Sequence, residues 1–163
     1  MDAFDVDLSD AYRSLRLIVR GQPFPNADLD WDRDVLDATV EVDTTSFQGS
    51  FKTAVWAHEL SNLRSLLQAL LDQVSEDVVA SFEFRDHALE TNFQSRRGGA
   101  FIVQITLRPD PADSERLTFE LSLNSVQLTG WIARLDRILS RFSPAITTNY
   151  LPTRDISPAE PSS

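Results

Sequence analysis

The sequence predicts an α+β fold: a single antiparallel sheet of about seven strands with two amphipathic helices packed on one face, in the order βββαββββα. Three observations carry this expectation. Apolar and polar residues alternate along several short segments, as in strands buried on one face only. Two longer segments repeat apolar residues at i, i+3, i+4 and i+7, the stripe of an amphipathic helix. Short connectors rich in Gly, Pro, Asp and Ser join the segments, and connectors of that kind close antiparallel hairpins.

In chain order, the alternation begins with Leu15, Leu17 and Val19, and continues through Leu36, Ala38, Val40 and Val42. Phe47, Phe51 and Val55 mark a third strand, which leads into the first helical stripe of Leu60, Leu63, Leu66, Leu67, Leu70, Leu71 and Val74. Strands around Ala80 to Phe84, Leu89 to Phe93, Phe101 to Leu107 and Leu117 to Leu123 follow, separated by turn residues at 85–87, 96–99 and 109–114. The second stripe runs through Leu128, Trp131, Ile132, Leu135, Ile138, Leu139 and Phe142. Asn124 or Ser125 is its expected N-cap, and Asn124 with Gln127 approximates a capping box. Gly130 costs about 1 kcal/mol relative to Ala inside a helix, and is expected to let the helix approach the sheet closely. With both helices on one side, the other sheet face is open and carries polar residues such as Arg16, Asp37, Glu41, Lys52, Trp56 and Gln104.

These patterns divide the chain into an acidic N-terminal segment (1–12), one α+β domain (13–143) and a Pro/Ser-rich, mostly disordered tail (144–163). With 25 acidic against 15 basic residues, the formal charge of −10 argues against nucleic-acid binding, which needs clustered Lys and Arg. A basic protein partner fits better. The chain has no Cys, so thiolate nucleophiles, thiolate metal sites and disulfides are excluded. The first residues, MDAFDVDLSD, have neither the basic nor the apolar region of a signal peptide. The apolar runs fall far short of the ~20 residues that span a bilayer, so a cytoplasmic protein is expected.

The stretch DLDWDRD places Asp28, Asp30, Asp32 and Asp34 around Trp31. Asp30, Asp32, Asp34 and Glu41 match positions of a calcium-loop template, but Val35 stands where that loop needs glycine. A solvated acidic loop is the simpler reading. His58 and Glu59 open HELSN, where a zincin would need a second His at Asn62. His87 is expected in a hairpin turn, and no elbow motif supports a catalytic triad with either histidine. RRGG lacks the spacing of a phosphate-binding loop and reads as a turn. No catalytic, metal or cofactor-binding residue is expected. Trp131 belongs to the core stripe, Trp56 ends a strand, and Trp31 is either a loop anchor or an exposed hot spot rimmed by negative charge.

Trp31 with VLDATVEVD, SFQGSFKTAVWAHELSNLRSLLQAL, GAFIVQITLRP and LTFELSLNSVQLTGWIARLDRIL together resemble the WapI-type immunity proteins of bacterial polymorphic and contact-dependent toxin systems. The element carrying Glu59, Leu60, Leu63 and Leu67 is the most telling, and the resemblance covers residues 13–143. It implies a small antiparallel-sheet protein that binds and neutralises a cognate toxin domain, often a nuclease, without catalysis. On this view the partner-binding candidates are Asp28, Asp30, Trp31, Asp32, Asp34, Asp37, Glu41 and Trp56. The alternatives are an α+β binding domain that homodimerises or docks another bacterial protein, and, third, an enzyme of unknown class.

Overall fold

A computed structural model describes residues 4–73 and 77–146, and the backbone of 156–158. The elements run β1 (Phe4–Ser9), β2 (Ser14–Gly21), α1 (Asp30–Arg33), β3 (Val35–Asp43), β4 (Gln48–Trp56), α2 (Ala57–Asp72), β5 (Val78–Glu83), β6 (Leu89–Arg96), β7 (Ala100–Leu107), β8 (Leu117–Asn124), α3 (Ser125–Arg141) and β9 (Ile156–Pro158). All strand pairs are antiparallel. Among the described residues no helix is long and apolar enough to cross a membrane. Of the tail expected to be mostly disordered (144–163), residues 147–155 and 159–163 lie outside the described residues, whereas Ala145 N–H donates to Asp34 and 156–158 form β9.

The single-sheet expectation is overturned. The strands form two sheets, ordered β1-β2-β3-β4 and β8-β7-β6-β5-β9, and three helices accompany them. Alternation states which face of a strand is buried and is silent about which strands are neighbours. Here α2 follows directly on β4 and carries the chain to the second sheet before β5 begins. Each sheet then needs cover for its apolar face, and the two faces with the two long helices supply it to one another. One small apolar cavity of about 20 Å³ shows the arrangement, since Leu15 and Val40 of the first sheet, Phe84 and Phe93 of the second, Leu63 of α2 and Trp131 of α3 all line it. A lining without polar partners keeps so small a space dry.

The alternation itself holds in most strands, with two corrections: in β2 Ile18 is buried along with Leu17 and Val19, and Phe47, expected to start the inward face of the third strand, precedes β4 and is 61% exposed. In β3, Leu36, Ala38, Val40 and Val42 are buried while Asp37 and Asp43 are exposed. In β7, Phe101, Val103, Ile105 and Leu107 are buried. The residues expected on one open face lie instead on the outer faces of two sheets. The acidic N-terminal segment carries β1, whose Val6 and Leu8 join the core.

Both helical stripes are buried as their spacing requires, through Leu60, Leu66, Leu67 and Leu70 in α2 and Leu128, Trp131, Leu135 and Ile138 in α3. The capping box of α3 is formed: Gln127 N–H donates to Asn124 Oδ1 at 2.9 Å, and Asn124 N–H donates to Gln127 Oε1 at 2.8 Å. Gly130 is a correction. It lies on the exposed side of α3, and a Cβ there would meet nothing within 4 Å, so no close approach depends on it.

The β8 edge is closed by the β1–β2 turn. Arg13 donates to the Glu120 carbonyl at 3.2 Å, and Asp10 accepts from Ser122 N–H at 3.1 Å. Side chains thus occupy backbone groups that an edge strand would otherwise offer to another chain.

Candidate functional site

The buried polar residues concentrate where β4 becomes α2. A helix start leaves backbone N–H groups without partners and carries a partial positive charge. Here the chain meets both needs from outside the helix. Asp34 offers its carbonyl to Ala57 N–H at 2.9 Å and its carboxylate to His58 N–H at 3.0 Å. The His58 imidazole Nδ1 lies 2.6 Å from the same carboxylate oxygen, so that nitrogen carries the proton. The other carboxylate oxygen accepts from Ala145 N–H at 2.8 Å. Asp34 is only 1% exposed, and all of its acceptor capacity points inward.

Glu59 completes the scaffold from within α2. One carboxyl oxygen accepts from Trp56 N–H at 3.0 Å, reaching back over the helix start, and the other accepts from Arg85 N–H at 2.5 Å. Burial raises the Glu59 carboxyl above its ordinary value, against the opposing pull of those two N–H groups and of His58. One buried acid therefore ties the β5–β6 turn to the start of α2.

On this scaffold sits an exposed cluster. DLDWDRD folds as the single turn α1, with Asp34 N–H donating to the Asp30 carbonyl at 3.0 Å. Arg33 pairs with Asp30 across the turn. The Trp31 ring stands edge-on to the His58 ring at 5.1 Å and remains 45% exposed. Arg85 lays its guanidinium over that ring at 4.4 Å and over the Trp56 ring at 5.9 Å. Trp31 is thus both loop anchor and exposed aromatic. Phe24 and Leu29 are exposed on the same loop, interleaved with exposed Asp28, Asp30 and Asp32.

The eight sequence candidates therefore separate. Asp28, Asp30, Trp31 and Asp32 share one exposed loop, and Trp56 joins them through Arg85. Asp34 is buried beneath them and cannot touch a partner. Asp37 is exposed on the outer face of β3, two residues from Val35, the cross-strand neighbour of Trp56. Glu41 lies four residues, about 13 Å, further along that strand at 3.3–3.4 Å per residue, where it pairs with Arg16 at 3.6 Å. Asp34 and Glu41 are thereby parted, and among the described residues no group of three or more His, Cys, Asp or Glu is gathered for a metal ion. Sequence reasoning missed Arg85. Its only local signal was a cation in a turn, and the two tryptophans that hold it lie 54 and 29 positions away in the chain.

Comparison with known proteins follows the geometry. The sequence model described as the immunity protein WapI-like family matches residues 7–143. No curated protein matches the chain. Among solved structures, the plant transcriptional regulator PBF-2 matches with a TM-score of 0.53 at 6% identity, covering 87% of this chain and 83% of its own. WHY1 from Arabidopsis thaliana matches with a TM-score of 0.50 at 9% identity, covering 87% and 86% respectively. At such identities these two likenesses concern the fold alone.

Proposed function

Since the chain belongs to the immunity protein WapI-like family, we propose that it binds and neutralises a cognate toxin domain in the cytoplasm, without chemistry of its own. The docking surface in this reading is the α1 loop, where Phe24, Leu29 and Trp31 stand exposed among Asp28, Asp30 and Asp32. That interleaving is the observation that carries the proposal. Exposed aromatic and aliphatic anchors supply contact energy, and surrounding charge supplies speed and selectivity. An acidic surface on a chain of charge −10 suits a basic partner, such as a nuclease whose active site is electropositive to hold phosphates.

Co-expression with the polypeptide encoded immediately upstream, followed by size-exclusion chromatography with light scattering, tests the proposal. A stoichiometric heterocomplex and rescued growth are expected. Replacing Asp28, Asp30 and Asp32 together by Asn should slow association by about tenfold at low salt and much less at high salt, because steering by exposed charge is screened. No complex, or an association rate indifferent to these substitutions at both salts, would sink the reading.

A further inference from the structure

Arg85 is an exposed cation within an acidic loop surface, yet among the described residues it has no carboxylate partner and its side chain donates no hydrogen bond. Arg16, Arg64 and Arg108 rest on carboxylates, and Arg141, also without one among the described residues, stacks on the single ring of Phe142 at 5.2 Å. What holds Arg85 is the pair of tryptophan rings, with Trp31 at 4.4 Å and Trp56 at 5.9 Å. Its backbone N–H is fixed separately on buried Glu59 at 2.5 Å. A guanidinium stacked in this way has already lost much of its rotamer freedom, while its five N–H donors remain uncommitted. Tryptophan and arginine are also the residue types that dominate binding energy at interfaces.

We propose that Arg85 is the specificity-determining anchor of the docking surface, taking one carboxylate of the partner at the centre of an acidic-rimmed patch. The matching surface is therefore basic with an acidic group embedded in it. A uniformly basic surface would set its own cations against Arg85, and that repulsion discriminates against wrong partners. The inference rests on the toxin-binding reading and deepens it.

The test uses the full chain against an immobilised, catalytically inactive form of the polypeptide encoded immediately upstream. Association and dissociation rates are read alongside thermal melts for wild type, Arg85→Ala and Arg85→Lys. Arg85→Ala should dissociate about 30-fold faster while association changes less than about threefold, because losing a desolvated charge contact acts on the off-rate. The melt should fall by no more than roughly 2–4 °C, the cost of exposed cation–π contacts, since the side chain is otherwise exposed. Arg85→Lys keeps the charge without the planar fork and should remain at least about tenfold weaker than wild type. A wild-type complex whose dissociation ignores Arg85→Ala overturns the anchor and leaves the toxin-binding reading standing. Lys at this position binding as well as Arg overturns the carboxylate assignment. Absence of any wild-type complex overturns both.

Discussion

Replacing Asp34 by Ala separates a scaffold role from a contact role at one position. The substitution strips the acceptor from His58 N–H, His58 Nδ1 and Ala145 N–H together. Hydrogen bonds to a charged group contribute about 1.5–3 kcal/mol each, and a buried donor left unmade carries its full desolvation cost. Ala145 is only partly buried, so water recovers much of its share. The two bonds to His58 remain, and with some relaxation the loss is about 3–5 kcal/mol. Against a total stability of about 5–15 kcal/mol, that is a large fraction. Urea unfolding followed by tryptophan fluorescence should show the midpoint falling by about 2 M at a typical slope for a small protein. Asp32→Ala, two residues earlier and exposed, should stay within about 0.5 kcal/mol of wild type. An Asp34→Ala variant within about 1 kcal/mol of wild type at an unchanged slope would refute the scaffold assignment.

Glu59→Gln tests the second buried acid through pH. The folded carboxyl stands above its ordinary 4.5, chiefly through burial, so the folded state holds the proton more tightly than the unfolded chain. Its contribution is therefore fullest below that ordinary value and is lost as pH rises through the raised folded value. The stability gap between wild type and Glu59→Gln should narrow between pH 4 and 8, and a widening gap would contradict the reasoning. Gly130→Ala should stabilise by about 0.5–1 kcal/mol, raising the melting temperature by roughly 1–4 °C, because the new methyl meets only solvent on α3. A lowered melting temperature would mean that the glycine serves a purpose its surroundings do not reveal.

Which parts of this were legible depended on how local the physics was. Apart from buried Ile18 in β2 and exposed Phe47 before β4, the faces of β2 to β8 and the stripes of α2 and α3 follow from spacing, since a strand repeats every two residues and a helix every 3.6. The α3 capping box was legible too, because both partners sit within three positions. β1 left a readable signal in Phe4, Val6 and Leu8 alternating with Asp5 and Asp7, which the acidity of the segment concealed. The partition into two sheets was not readable, because one sheet or two satisfies the same alternation. Asp34 was the least legible. It sits in a row of similar aspartates, and only its distant partners at 58 and 145 set it apart as the buried one. Arg85 was hidden for the same reason, with Trp31 and Trp56 reaching it only through the fold.

The division into two sequence-contiguous sheets also bears on how the chain is made. The first sheet is complete in sequence at Trp56, whereas α3, which packs on β1, ends only at Arg141. At synthesis rates of ~5–20 residues per second, the inner apolar face of that sheet waits roughly 4–17 s for its last cover. During that interval Leu15, Leu17 and Val40 present a sticky surface to the crowded interior of the cell. Nascent chains stalled between β4 and α3 are the species expected to recruit chaperones or to aggregate, and the finished protein is not.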